Sequence, residues 1–164
     1  MNLIRKTLEI ADKLLHFDVA KAHCDVPCGI YDPHQMQVDA HTVLRMIQLM
    51  QNLDQNNPEY AQTYARYVAV KEHHAENLKR EVRVLWGDYF KPQHQEQFPE
   101  LTDLVWDIMR TASQARQHVD MDAAKDLLKK VQRLAEIFFE TKGKSYAKLP
   151  APYPTGETIV VQTN

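Results

Sequence analysis

The sequence predicts an all-α fold, a four-helix bundle with an irregular amino-terminal loop in front of it and an extended tail behind. Three observations predict this. Apolar residues recur at helical spacing in four segments between residues 35 and 143. Only four glycines occur in 164 residues, too few for a turn-rich sandwich or barrel. Proline and glycine crowd the two flanks instead, at Pro27, Gly29 and Pro33 and again at Pro150, Pro152, Pro154 and Gly156. A chain of this length makes one domain and buries a core without disulfide staples.

Residues 1–22 read as a leader, because Ile4, Leu8, Ala11 and Leu15 mark one face of a short helix that ends before His23. Arg5, Lys6, Glu9, Asp12 and Lys13 interrupt its apolar positions, so it is neither a secretory signal nor a membrane span, and the expected location is cytoplasmic. From His23 to Pro33 the prolines remove donors and disfavour helix in the residues before them, which makes this segment a shaped loop. A first helix is expected from about Gln35 to Leu53, with Val43, Ile47 and Met50 on its apolar face. The polar run Asp54 to Asn57 ends it, and Asn57-Pro58 starts the longest helix, about Pro58 to Trp86. That helix carries Tyr64, Val68, Ala75, Leu78, Val82 and Leu85 as a nearly heptad seam, with Lys71 inside it.

The stretch Gly87 to Phe98 is aromatic and turn-rich, and Pro99 in a first turn then opens a helix with Leu101, Leu104, Val105 and Ile108 that ends near His118. Asp120 is the expected cap of the last helix, in which Leu127, Leu128, Val131, Leu134, Ala135 and Phe138 keep helical spacing up to Gly143. The remaining tail, 147–164, contains the strand-like Thr158 to Thr163, which cannot extend a helical bundle and is expected to be extended and to grip a neighbouring subunit. The domain plan is therefore leader 1–22, loop plus bundle 23–146, and tail 147–164.

The formal charge of -2, with no basic run interleaved by aromatics, argues against nucleic acid as a partner. Two cysteines four positions apart exclude a disulfide scaffold and leave a redox pair, a metal site or plain cysteines. Cys24 and Cys28 supply two soft thiolates and His23 an imidazole, while Pro27 and Gly29 make the chain curl around them. Three side chains are a thin set for structural zinc, which takes four protein ligands. Cleavage between Ala22 and His23 would create an α-amine donor next to a backbone amide. Amine, amide and two thiolates form a square plane suited to Ni(II) or Cu(II), with the imidazole available above it.

The string His23-Cys24-Asp25-Val26-Pro27-Cys28-Gly29-Ile30-Tyr31-Asp32-Pro33 resembles the amino-terminal hook of the nickel-containing superoxide dismutases, which begins HCDxPCGxYDP. Val84 to Pro92 is similar to that family's VLWxDYFKP segment, and Ile137 to Lys142 to its bundle-ending helix, so the likeness spans roughly residues 23 to 146. The resemblance implies a homohexameric four-helix bundle, made as a precursor whose leader a dedicated peptidase removes. It implies one nickel ion per subunit, held by His23, Cys24 and Cys28. It implies that superoxide reduces Ni(III) to give dioxygen and that a second superoxide oxidises Ni(II), taking two protons to give hydrogen peroxide. Tyr31 and Tyr89 map onto tyrosines near the open face of nickel, where phenols order water and exclude larger anions. Asp25 maps onto an aspartate that supports the hook. The family's Glu and Arg that orient the axial imidazole correspond here to Asp39 and His74, a shorter carboxylate and a titratable ring.

Other polar features have plainer expectations. His73, His74, Glu72 and Glu76 read as a solvated helical face, with Glu76 spaced to pair with Arg80. Lys71 reads as a snorkelling lysine and Lys91 as a surface lysine placed to draw an anion inward. Two other functions fit the same loop: a nickel or copper carrier with the leader retained, and a thiol redox protein using Cys24 and Cys28 as a reversible disulfide.

Overall fold

The computed structural model describes residues 28–163, so the expected leader and the loop up to Pro27 lie outside the described residues. Asp32 starts the helical body: its carboxylate Oδ1 accepts the backbone N–H of His34 at 2.7 Å, and α1 runs His34–Gln51. Asp54 and Asn57 then make side-chain-to-backbone turns onto Asn56 and Glu59, and α2 runs Tyr60–Val84. A single π turn, Leu85–Tyr89, continues it, closed by the Phe90 N–H on the Leu85 carbonyl at 2.9 Å. The short α3, Pro92–Gln97, has its proline at the first helical position, where no N–H is needed. The helix α4 covers Leu101–Gln117 and α5 covers Met121–Thr141. Asp120 caps α5 as expected, accepting the Ala123 N–H at 2.9 Å. Gly143, at φ 62°, closes α5 in the left-handed conformation that lets Lys144 N–H reach the Phe139 carbonyl at 2.9 Å.

The four long helices enclose one core. Ala40, Val43 and Ile47 of α1, Ala75, Leu78 and Val82 of α2, Ile108 and Ala112 of α4, and Val131, Leu134 and Ala135 of α5 are fully buried in it. The seam of α2 is deep only in its second half, since Tyr64 and Val68 are half-buried. Among the described residues no helix is long and apolar enough to cross a membrane.

The tail is extended as expected, and it folds back on itself as a hairpin. Its strands β1 (Tyr146–Pro150) and β2 (Thr158–Gln162) pair antiparallel, Tyr146 opposite Gln162 and Pro150 opposite Thr158. The hairpin lies on its own chain's α1 and α5 rather than reaching outward: Gln37 binds Val160, and Gln132 Nε2 donates to the Thr158 carbonyl at 2.5 Å. This seat explains why α1 is buried on more of its surface than its apolar stripe predicts, with Gln37 and His41 inside, while Asp39 is buried toward His74 of α2.

Lys71 also departs from expectation. It does not snorkel; it is 3% exposed, and its ammonium donates to the carbonyls of Ala115, Arg116 and His118 at the end of α4. Glu76 pairs not with Arg80 but with Arg83 and Arg116, each at 3.0 Å. Reaching across to α4 gives the carboxylate a partner from a second helix.

Candidate metal centre

Of the expected hook, Cys28 is described and exposed, while Ala22, His23, Cys24 and Asp25 lie outside the described residues. Gly29 follows at φ 70°, a left-handed turn that L side chains rarely adopt, and Ile30 is 77% exposed. The chain therefore presents the Cys28 end of the loop at the surface and then returns to the body at Tyr31.

Tyr31 packs on the hydrophobic core and meets Tyr89, with ring centroids 5.4 Å apart and tilted by 52°. Two tyrosines distant in sequence are thus brought together. The π turn that ends α2 carries Tyr89 into this position, and Phe138 at 4.7 Å, Phe90 at 5.1 Å and the stacked His94 ring at 5.6 Å hold it there. Its hydroxyl is 2.7 Å from Thr141 Oγ1. Thr141 spends its one hydroxyl hydrogen on the Phe138 carbonyl at 2.7 Å, so the Tyr89 O–H is the donor between the two. Burial pushes the Tyr89 phenol above its ordinary value; the Thr141 contact would oppose this only if Thr141 were the donor, and its hydrogen is engaged. Tyr89 is thus a fixed, neutral phenol at physiological pH.

The second expected pair is also assembled. His74 Nδ1 lies 2.5 Å from Asp39 Oδ1, with the aspartate side chain fully buried and the histidine about a quarter exposed. Because a carboxylate only accepts, the Nδ1 position carries the hydrogen. Among the described residues Asp39 Oδ2 has no hydrogen-bond partner although it is buried. A buried carboxylate oxygen in that condition is a site for a donor.

Lys91 is an exposed surface lysine as expected, and a different positive group lies over Tyr89. The Lys91 ammonium turns to the Asp88 carbonyl at 2.8 Å, whereas Lys142 Nζ lies 5.5 Å from the centre of the Tyr89 ring and 5.0 Å from that of Phe138. Among the described residues no three His, Cys, Asp or Glu side chains converge as metal ligands, so Glu72, His73, His74 and Glu76 form no second metal site there. Sequence reasoning missed Thr141, His94 and Lys142. Only the helical spacing of Phe138 and Thr141 hinted that the end of α5 would face Tyr89.

The model of one protein family, described as nickel-containing superoxide dismutase, matches residues 18–142 of the chain. A protein of Streptomyces coelicolor named superoxide dismutase [Ni] is 40% identical over 121 residues, which are 74% of this chain and 88% of that protein. A protein of the same name from Streptomyces seoulensis is 39% identical over the same length and shares. Among solved structures, native nickel superoxide dismutase superposes with a TM-score of 0.66 at 38% identity, covering 73% of this chain and 99% of that one. The oxidised-state structure of a nickel-containing superoxide dismutase gives 0.68 at 36% identity, over 74% and 99%.

Proposed function

The chain belongs to the nickel-containing superoxide dismutase family, and from that premise we propose that its hook at His23, Cys24 and Cys28 is the centre at which it works. The enzyme is an oxidoreductase that takes nickel and converts superoxide to dioxygen and hydrogen peroxide. The observation that carries the assignment of the centre is the eleven-residue hook string itself, with its Tyr31 packed against Tyr89.

The residues present fit nickel. Two thiolates and an imidazole, joined by the amine and amide that cleavage after Ala22 provides, are a strongly donating set. Asp39 Oδ2, buried and without a hydrogen-bond partner among the described residues, supplies an acceptor suited to an imidazole N–H such as that of His23. When bound, nickel supplies the one-electron couple by which superoxide is both oxidised and reduced.

The protein's own part follows from its geometry. Cys24 and Cys28 carry the electron density that keeps the couple in range, and Asp25 supports the loop between them. Tyr89, with its hydrogen committed to Thr141, offers only lone pairs to the open side, so it orders water by accepting. Tyr31 beside it narrows the approach against larger anions. Asp39, held by His74, orients the hook imidazole, with the Asp-His pair replacing the family's Glu and Arg.

The same reading includes removal of residues 1–22 by a dedicated peptidase, assembly as a homohexamer with one nickel per subunit, and a cytoplasmic location. Large apolar side chains left exposed, such as Trp106 at 64%, support self-association. The charged residues interrupting the leader support the location. The test is Cys28→Ser in cleaved protein: nickel content and superoxide removal are both lost, whereas full activity without nickel refutes the assignment.

A further inference from the structure

Gln37 is a fully buried polar side chain in the first turns of α1, and its partners come from opposite ends of the chain. Its Nε2 donates to the Val160 carbonyl at 2.9 Å and its Oε1 accepts the Val160 N–H at 2.9 Å. One side-chain amide thereby holds both peptide groups of a β2 residue, as a neighbouring strand would. The same Nε2 reaches the carbonyl of Pro33, the last hook residue, at 3.4 Å. The two Val160 bonds fix which way the amide faces, so the tail decides that nitrogen rather than oxygen meets Pro33.

The rest of the seat is built in the same manner. His41 lies 2.9 Å from Thr155 Oγ1 and 3.0 Å from the Thr158 carbonyl. Gln48 donates to the Thr155 carbonyl at 3.2 Å. The hairpin begins after residue 142, where the family match ends, so this fastening is added to the shared bundle. A cavity of 170 Å³ between Asp32, His34, Phe139 and Gln162 places the end of β2 beside the root of the hook.

We propose that the carboxy-terminal hairpin positions the amino-terminal hook, with Gln37 as the positioning residue that joins them. Fixing the Pro33 carbonyl fixes the direction in which residues 28–32 leave the bundle. The proposal rests on the reading of that loop as the nickel centre.

The test compares wild type, Gln37→Met and Ile159→Asp. Ile159 is 4% exposed, so a charge there unseats the hairpin without altering α1. Hydrogen exchange is followed in the nickel-free full chain, and the paramagnetic resonance spectrum of oxidised nickel in the cleaved, loaded protein. Both variants are expected to speed exchange at the root of the hook, at His34, whose N–H is held by Asp32 Oδ1, and at Gln37 and Val38 in the first turns of α1, about tenfold relative to the α5 interior, the equivalent of one lost net hydrogen bond. The nickel spectrum shifts while nickel content stays at the wild-type level. If Ile159→Asp frees the β2 amides and leaves exchange at the start of α1 and the nickel spectrum unchanged, the proposal is overturned. Should Gln37→Met fail to fold, Ile159→Asp carries the same readouts. A wild type that binds no nickel would sink the centre's assignment, while the exchange result still decides whether tail and hook are coupled.

Discussion

Replacing Lys71 by methionine isolates one ammonium on which the end of α4 depends. Its three N–H groups are used on Ala115, Arg116 and His118 carbonyls at 3.0, 2.7 and 2.6 Å, and these belong to a helix end whose carbonyls lack intrahelical partners. The charge also sits at the negative end of the helix dipole. Burial opposes all of this by disfavouring the ammonium and lowering its pKa. Hydrogen bonds from a charged donor contribute about 1.5–3 kcal/mol each before that penalty, so truncation with three carbonyls stranded costs about 2–4 kcal/mol net. Urea unfolding of the nickel-free chain at neutral pH reads this directly, as a lower midpoint with an unchanged slope. A methionine variant within about 0.5 kcal/mol of wild type, or more stable than it, would show that desolvation cancels the three bonds.

Further predictions follow from other groups. Burial lowers the pKa of His41 below 6.5, against smaller opposing effects of its bond to Thr158 and of Glu157, so its neutral form belongs to the folded state. The stability it contributes is present above 6.5 and is lost as pH falls from there through the folded value; the protection factors of the β2 amides, taken relative to their intrinsic exchange at each pH, therefore fall toward pH 5, and His41→Asn flattens that slope. Asp39→Asn changes the stability of the nickel-free chain by less than about 1 kcal/mol, because the amide oxygen still accepts from His74 while the desolvation of a buried carboxyl is relieved, yet it lowers kcat of the loaded enzyme about tenfold. Thr141→Val costs about 1 kcal/mol in the same unfolding assay and frees the Tyr89 hydroxyl to donate, which a changed pH profile of turnover would report.

Much of the bundle was legible because burial is written as spacing. Leu78, Val82, Val131 and Leu134 stand where the 3.6-residue period puts them, and Asp120 caps as its type and position require. The helix α3 was not legible, since none of its residues is buried and its sequence has no apolar period. Polar groups that bury themselves were not legible for the opposite reason. Gln37, His41 and Gln132 carry no apolar signal, and Lys71 no visible partner, until the tail or the α4 terminus arrives from 26 to 123 residues away. At the site, donor types were legible in His23, Cys24 and Cys28, but the meeting of Tyr31 with Tyr89 came only from the family likeness. The role of Thr141 needed coordinates, because a hydroxyl's hydrogen follows its nearest acceptor and not its sequence context.

On the reading proposed above, the hook becomes a nickel centre when the chain begins at His23. Nickel titration of two purified forms, one starting at His23 and one retaining Met1 to Ala22, each checked by intact mass and assayed for superoxide removal, tests it most directly. One nickel per chain and turnover are expected in the cleaved form alone. Equal nickel binding and turnover with the leader retained, or turnover by the cleaved form without nickel, would contradict it.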